Sequence, residues 1–135
     1  MKKLFTAIVL TLVFISCTKD DKEEPDALSI NNTTWMVEVS LNGKTTSSSE
    51  NIFEFSKTDN TGYFSWSPVG ATTYRGNWTQ DGTTVNFTFD DGTGQFWDCT
   101  GTLSKNARGE DNKVFTGTMT RRNGEGLGSF RAVRP

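Results

Sequence analysis

Few residues in this 135-residue chain could do acid–base or nucleophilic chemistry, and none of them is a histidine. Without histidine, the chain cannot form a Ser-His or Cys-His nucleophile pair or a histidine-based metal site. A carboxylate pair could hydrolyse a glycosidic bond, and the candidates are Glu54, Asp90, Asp91 and Asp98. However, Asp is common in turns for local hydrogen-bonding reasons, and Asp91-Gly92-Thr93-Gly94 has too few ligands for a calcium loop. The sequence therefore predicts a protein that is not an enzyme, with no catalytic residue, no metal and no cofactor.

The two cysteines, Cys17 and Cys99, lie in very different contexts. Cys17 follows the low-polarity run 4–16, which is preceded by two lysines and ends on a serine. A charged start, a short apolar centre and a small residue before the cleavage point are typical of a signal peptide. The run is too short to cross a hydrocarbon layer of ~30 Å. We therefore predict a signal peptide over residues 1–16.

The stretch Val13-Phe14-Ile15-Ser16-Cys17 resembles the lipobox of bacterial lipoproteins, although Phe14 stands where leucine is usual. The resemblance implies that Cys17 carries acyl chains such as palmitate and is the first residue of the mature chain. Cys99 would then have no partner for an intramolecular disulfide, and we expect it to pack as a small buried hydrophobe. The alternative is an ordinary secretory signal in which Cys17 is incidental.

Residues 17–32 are predicted to tether the lipidated cysteine to the folded part. Positions 19–26 are charged residues and one proline, and such a run cannot bury enough surface to order itself. The start of the tether, Cys17-Thr18-Lys19-Asp20-Asp21, resembles the export signal of Bacteroidota surface lipoproteins; a simple polar spacer is the alternative. Acyl chains on Cys17 would attach the protein to a membrane. We expect a location in the bacterial cell envelope, at the outer membrane, with periplasmic or outward-facing placement left open.

From residue 33 onward, short runs rich in Thr, Val, Phe, Trp and Tyr alternate apolar with polar residues, and turn-forming residues separate them. The predicted strands are residues 34–41, 51–57, 63–67, 72–79, 84–90, 95–103, 114–121 and 127–133. The Ser/Thr-rich stretch 45–49 is predicted to be a mobile connection. The sequence Thr100-Gly101-Thr102-Leu103 is echoed by Thr116-Gly117-Thr118-Met119, which indicates two neighbouring strands of similar geometry.

Eight strands with one apolar face must bury that face. Closing the sheet into a barrel does so and removes both edges, whereas a two-sheet sandwich is the competing solution. Most of the links look like hairpins between neighbours in sequence, which favours the barrel. Residues 33–135 are therefore predicted to form an all-β, eight-stranded, antiparallel up-and-down barrel.

Trp35 in the first strand, the eight-strand meander and the arginine-containing ending from Gly126 to Arg134 together resemble lipocalin-like (calycin) barrels of bacterial lipoproteins. In that family the first-strand tryptophan packs under an arginine from the end of the barrel. The resemblance thus implies that Arg131 or Arg134 lies over Trp35, a contact worth ~0.5–2 kcal/mol. Thr33 stands where the family has a glycine.

Barrels of eight strands can hold one small ligand, so the primary prediction is binding of a small apolar or aromatic-stacking ligand. The candidate residues are four large aromatics on predicted inward positions: Trp66, Tyr74, Trp78 and Trp97. Alternatively, these side chains simply fill the barrel. The protein would then be a surface interaction module that contacts a glycan or a protein through its outer face or loops. The formal net charge of −2 and the sparse Lys and Arg do not suit a nucleic-acid binder, and the oligomeric state is left open.

Overall fold

The computed structural model describes residues 29–47, 50–105, 108–109 and 113–135. The predicted signal peptide, Cys17 and residues 18–28 of the predicted tether lie outside these ranges. The strands of the described part, in chain order, are β1 (Thr33–Leu41), β2 (Lys44–Thr46), β3 (Asn51–Thr58), β4 (Thr61–Pro68), β5 (Tyr74–Asp81), β6 (Thr84–Asp90), β7 (Phe96–Ser104), β8 (Val114–Arg121) and β9 (Leu127–Val133). In this part of the chain, no helix has the length and apolar character needed to cross a membrane.

The sheet closes on itself into an antiparallel barrel. From β3 to β9, each strand pairs with the next one in sequence, and β1 pairs with both β3 and β9. Thr33 to Met36 of β1 pair with β3, whereas Met36 to Leu41 pair with β9. The closed barrel therefore consists of β1 and β3 to β9, which confirms the predicted eight-stranded up-and-down architecture.

One observed strand, β2, is additional to the eight strands predicted from the sequence. Residues 45–49 were predicted to be a mobile connection, but Lys44 to Thr46 pair with Val39 to Leu41 of β1. Asn42 and Gly43 form the turn between them with φ values of 49° and 79°, as a tight two-residue hairpin requires. This hairpin extends β1 on the side where its pairing with β3 has ended.

The fourth predicted strand was placed two residues too early. Its observed counterpart is β5 (Tyr74–Asp81), and Thr73 belongs instead to the β4–β5 connection, where its hydroxyl lies 3.2 Å from the hydroxyl of Ser67. At its far end β5 continues to Asp81, which pairs with Thr84 across the turn to β6.

Aromatic side chains fill the middle of the barrel. Six buried phenylalanines contact one another with ring centroids between 4.5 and 6.5 Å apart: Phe53, Phe55, Phe64, Phe87, Phe115 and Phe130. Gly101 and Gly117 lie opposite each other on β7 and β8, so the repeated Thr-Gly-Thr segments do belong to neighbouring strands. A Cβ on Gly101 would lie 2.3 Å from the ring of Phe115 and 2.8 Å from that of Phe130. The glycine pair therefore makes the room that these two rings occupy.

One end of the barrel, here called the closed end, is covered by the segment that precedes β1. Ile30 is fully buried there, and its backbone N–H donates to the side-chain oxygen of Gln80 at 2.9 Å. The Thr33 hydroxyl donates to the Ile30 carbonyl and accepts a hydrogen bond of 2.8 Å from the indole of Trp35. The predicted tether thus joins the barrel at the closed end.

Candidate ligand-binding site at the mouth of the barrel

The opposite end, here called the mouth, carries a depression of about 510 Å³ between the β1–β2 hairpin and the β4–β5 connection. It is lined by Val39, Leu41, Asn42, Lys44, Thr46, Asn51, Trp66, Pro68, Ala71 and Tyr74. Apolar and aromatic side chains form its floor and walls, while Asn42, Lys44 and Thr46 supply polar groups. Its volume lies within the ~300–1,000 Å³ that is usual for small-molecule sites.

Trp66 is held in place by a chain of hydrogen bonds that begins at its buried indole and ends at the exposed strand β2. Its indole N–H donates to the side-chain oxygen of Asn51 at 2.9 Å, and the amide nitrogen of Asn51 donates to Thr46 at 2.7 Å. The Thr46 hydroxyl in turn donates to the Val39 carbonyl at 3.1 Å. Because buried polar groups are costly to leave unpaired, this chain fixes the ring of Trp66 and secures the short strand β2 as one wall of the mouth.

Tyr74 and Phe89 continue the aromatic surface from Trp66. The ring centroid of Tyr74 lies 5.2 Å from that of Trp66 and 5.9 Å from that of Phe89. Tyr74 is half-buried, whereas Phe89 is buried beneath it. Offset and tilted ring pairs at such distances are favourable. Tyr74 therefore presents a supported aromatic edge to the depression.

Trp97 lies at the same end of the barrel but on the far side of Phe89. Their rings are nearly parallel, with an interplanar angle of 6° and centroids 6.2 Å apart. The β8–β9 connection covers Trp97, since a Cβ on Gly126 would lie 2.8 Å from its ring. Trp97 therefore packs against Phe89 on the side away from the depression and does not line it.

Asp91 ties Trp97 to Arg121. Its carboxylate accepts hydrogen bonds from the Trp97 indole at 3.2 Å and from the Arg121 guanidinium at 2.6 Å, and that guanidinium lies 5.7 Å from the ring centroid of Trp97. Partial desolvation raises the pKa of Asp91, but hydrogen bonds from the Thr93 hydroxyl, Arg121, the Thr93 backbone and Trp97 outweigh it. Together they hold the pKa of Asp91 far below its ordinary value, so the carboxylate stays ionised and fixes this side of the mouth.

The fourth candidate aromatic, Trp78, is placed away from the other three. It pairs with Gly62 near the closed end, and its indole N–H donates to the Ser56 carbonyl at 2.8 Å. A Cβ on Gly62 would lie 2.9 Å from its ring, so the glycine makes room for the indole. The structure therefore brings Trp66 and Tyr74 together in the depression, places Trp97 beside them, and separates Trp78.

The expected contact between an arginine and Trp35 involves Arg134. The guanidinium carbon of Arg134 lies 5.9 Å from the ring centroid of the fully buried Trp35. Arg131 does not reach that ring, because it lies on the outer face of β9 opposite Glu38. The alternation of β9 sends Arg131 to the outside, and Arg134, beyond the strand end, is free to fold over the tryptophan.

The candidate acids Asp90 and Asp98 form hydrogen bonds with neighbouring groups, and the Cys99 thiol is buried. The Oδ1 atom of Asp90 accepts from the backbone of Gly92 and Gly94. The hydrogen bond and charge of Arg122 lower the pKa of Asp98 despite partial desolvation. Burial raises the pKa of the Cys99 thiol far above its ordinary range, and the neighbouring Asp98 adds to the effect. In the described ranges, no cluster of three or more His, Cys, Asp or Glu side chains is placed to hold a metal ion.

Asn51 is the mouth residue that the sequence interpretation overlooked. It is almost fully buried and joins Trp66 to β2. A signal was present, because the predicted strand 51–57 carries Phe53 and Phe55 on one face and a period of two places Asn51 on that same face. An inward-facing amide at the start of a strand is a candidate for such a bridging role.

No protein-family model matches the chain. The search of curated proteins gave no match either. Among solved structures, the chain is similar to a redesigned β-barrel with a TM-score of 0.55 and 15% sequence identity, over 81% of this chain and 95% of that one. At this identity the similarity concerns the barrel fold alone.

Proposed function

We propose that this protein is a lipid-anchored, exported, lipocalin-like lipoprotein of the Bacteroidota kind that binds a small apolar or aromatic-stacking ligand at the mouth of its barrel. The observation that carries the binding proposal is the depression of about 510 Å³, which is lined by the half-buried ring of Tyr74 and by the edge of Trp66 that remains exposed. Both rings are already fixed by neighbours, so a ligand would meet a preformed surface and little ordering would oppose its binding.

The filled interior confines the proposed ligand to the mouth. Phe53 contacts Trp66 with centroids 5.9 Å apart, and Phe89 contacts it at 5.4 Å. Below these rings the phenylalanine cluster fills the interior, and the rings of Phe115 and Phe130 pack over the glycine pair Gly101–Gly117 in the barrel wall. A ligand would therefore stack on Trp66 and Tyr74 and would not pass between the phenylalanines.

The polar groups at the rim give the proposed ligand a preferred orientation. Lys44 and Thr46 lie on β2, and Asn42 lies in the turn before it, on one side of the depression. A ligand with an apolar or aromatic body and one acceptor group would place the acceptor toward Lys44. Few polar groups on an apolar surface are the usual arrangement in small-molecule sites.

Acylation of Cys17 would place the mouth away from the membrane. The tether is expected to start at Cys17 and reaches the barrel at Ile30, at the closed end. Extended chain spans at most ~3.3–3.6 Å per residue, so positions 18–29 could hold the barrel up to roughly 40 Å from the bilayer. The mouth would then face the solution from which a ligand arrives, in the periplasm or outside the cell.

A binding role without catalysis is supported by the state of the reactive groups. The Cys99 thiol is buried, which raises its pKa. The carboxylates of Asp90 and Asp91 accept hydrogen bonds from the backbone of their own turn. A catalytic carboxylate pair would need two acids facing a common substrate site. Neither Asp90 nor Asp91 is among the residues that line the mouth depression.

Intrinsic tryptophan fluorescence tests the binding proposal. The purified protein would be titrated with fatty acids, haem-like compounds and other apolar small molecules. We expect saturable quenching or a blue shift that is lost in Trp66→Phe and kept in Trp78→Phe, which alters the same residue type near the closed end. Equal responses in the two variants, or no response from any compound, would contradict a site at the mouth.

The anchor is tested separately with labelled palmitate in the bacterial host. Cys17→Ala is expected to abolish incorporation of the label and to leave the protein full-length or cleaved at the wrong position. Cys99→Ala is the control and should still take up label. Continued labelling of Cys17→Ala would contradict the anchor and would leave the binding proposal unaffected.

A further inference from the structure

A second depression lies on the outer face of the barrel, on the opposite side of β4 and β5 from the mouth residues. It is here called the outer groove, and its volume is about 650 Å³. The side chains that matter for its chemistry are Glu54 on β3, Tyr63 and Ser65 on β4, and Arg75 on β5. Because successive residues of a strand point to opposite faces, Tyr63 faces this groove while Phe64 faces the core.

The strand register aligns these groups across the groove. Glu54 pairs with Ser65, and Ser65 pairs with Arg75, so the three form one row across β3, β4 and β5. Two strand spacings separate the outer members, which places a carboxylate and a guanidinium on backbones roughly 10 Å apart. Tyr63 lies in the adjacent row, opposite Ser56 and Asn77.

The groups of the outer groove retain unused bonding capacity. Within the described residues, Arg75 forms no ion pair and no side-chain hydrogen bond, although it stands opposite Asp90 in the ladder. The Glu54 carboxylate accepts one hydrogen bond in this part of the chain, from the Ser65 hydroxyl at 3.1 Å. Tyr63 is 48% exposed, and its ring lies outside the aromatic cluster of the core.

These groups match the chemistry of a sugar. Sugar hydroxyls both donate and accept hydrogen bonds, and charged partners such as Arg75 and Glu54 make the stronger ones. The C–H face of a pyranose ring packs on an exposed aromatic ring such as Tyr63, which combines an apolar body with a polar tip. One cation and one anion favour a neutral ligand. The exposed large aliphatic side chains, Met36, Ile52, Val69 and Leu127, lie outside this lining.

From this arrangement we infer that the outer groove binds a neutral oligosaccharide, with a ring stacked on Tyr63 and its hydroxyls hydrogen-bonded to Arg75 and Glu54. Serine and threonine hydroxyls extend the polar lining toward the mouth, where Ser67 and Thr73 lie 3.2 Å apart. The inference does not rest on the mouth site, because Tyr63 and Trp66 face opposite sides of the same strand.

Glycan-array binding by the purified full-chain protein tests this inference. The array would carry neutral glucans, mannans, galactans and N-acetylglucosamine oligomers, together with sulfated and uronic-acid oligosaccharides. We expect binding to at least one neutral oligosaccharide. Tyr63→Ala should weaken it about tenfold through loss of the stacked ring. Arg75→Gln should also weaken it, through loss of the guanidinium that bonds the sugar hydroxyls.

Phe96→Ala is the matched control, because Phe96 is also an outward, partly exposed aromatic, but on β7 and against Arg122 at 5.2 Å. It should bind like the parent protein. Thermal unfolding of each variant establishes that it is folded before its binding is compared. The inference is wrong if no neutral oligosaccharide binds, if only acidic ones bind, or if folded Tyr63→Ala and Arg75→Gln bind as the parent does. It is also wrong if Phe96→Ala weakens binding as much as Tyr63→Ala.

Discussion

The closed end and the mouth each have a tryptophan whose indole is held by a polar side chain. At the closed end, Trp35 donates to Thr33 at 2.8 Å; at the mouth, Trp66 donates to Asn51 at 2.9 Å. Trp35 is fully buried, the guanidinium of Arg134 lies over its ring, and its partner Thr33 is hydrogen-bonded to the buried Ile30. Beyond Trp66 lies a depression of about 510 Å³.

This difference separates a structural tryptophan from a candidate binding residue. An indole with partners on both sides contributes to folding and has no surface left for a ligand. Trp66 is 7% exposed and lines the depression, whereas Trp35 is fully buried. Because its neighbours already hold the indole of Trp66 in place, the edge that faces the depression is preorganised for contact with a ligand. A tryptophan in the sequence could belong to either kind. The two kinds differ in whether part of the indole still faces a depression in the folded protein.

The largest expected effect is at the closed end. Trp35→Ala should lower the free energy of unfolding by about 3–5 kcal/mol, because it leaves a cavity among fully buried neighbours and removes the partner of Thr33. Urea denaturation followed by far-UV circular dichroism would measure the loss. Thr102→Ala, an exposed substitution on β7, should change stability by less than about 0.5 kcal/mol. A loss near that of Thr102→Ala would mean that Trp35 is not a structural element of the closed end.

Gly101→Ala tests whether the space between the two ends is filled. The added Cβ would lie 2.3 Å from the ring of Phe115 and 2.8 Å from that of Phe130, so we expect a loss of about 1–3 kcal/mol from overpacking. The same denaturation measurement applies. A neutral or stabilising result would show spare room around these rings and would reopen the interior to a ligand.

Asn51→Ala tests the support of the mouth. It removes the acceptor of the Trp66 indole and the donor to Thr46 inside the protein, which should cost about 1–3 kcal/mol of stability and weaken any ligand bound at the mouth. Asn77→Ala provides the control, since the exposed Asn77 has a side-chain bond to the Gly62 carbonyl on the outer face. If both variants bind ligand as the parent does, the hydrogen-bond chain through Asn51 does not shape the site.

The smallest effect is expected from the ion pair on the far side of the mouth. Because the pKa of Asp91 is lowered in the folded protein, its ionised form contributes stability above the unfolded pKa of ~3.9, and that contribution is lost as the pH falls below it. The difference in melting temperature between the parent protein and Asp91→Asn should therefore be constant above about pH 5 and shrink in more acidic solution. Asp98→Asn, whose Arg122 partner is solvent-exposed, should show a smaller difference. A difference in melting temperature between the parent protein and Asp91→Asn that grows on acidification would contradict the lowered pKa of Asp91.

Alternation and turn chemistry were enough to predict the barrel. The inward faces of β6 and β7 follow directly from Val85, Phe87, Trp97 and Cys99, and the recurrence of Gly101 and Gly117 indicated that β7 and β8 are neighbours. The strand β2 was missed because its three exposed residues show no apolar alternation. What holds it is its pairing with β1 and the hydrogen bond from Asn51 to Thr46, which joins the two sides of the β2–β3 connection.

The division of the aromatics between the two ends was harder to predict. A period of two assigns a residue to the inner face, but its height along the barrel depends on strand direction and register. Trp66 is near the end of β4 and Trp78 is in the second half of the antiparallel β5, so they lie at opposite ends. Neither composition nor periodicity shows which tryptophan has cover on both sides.

The four indole N–H groups allow one direct test of the central claim that a ligand stacks at the mouth. Each gives a separate signal in a ¹⁵N–¹H spectrum, and they report the closed end (Trp35, Trp78), the depression (Trp66) and its far side (Trp97). During titration with a ligand selected by fluorescence, we expect the Trp66 signal to shift most and those of Trp35 and Trp78 to stay in place. Shifts led by Trp35 or Trp78, with Trp66 unchanged, would contradict binding at the mouth.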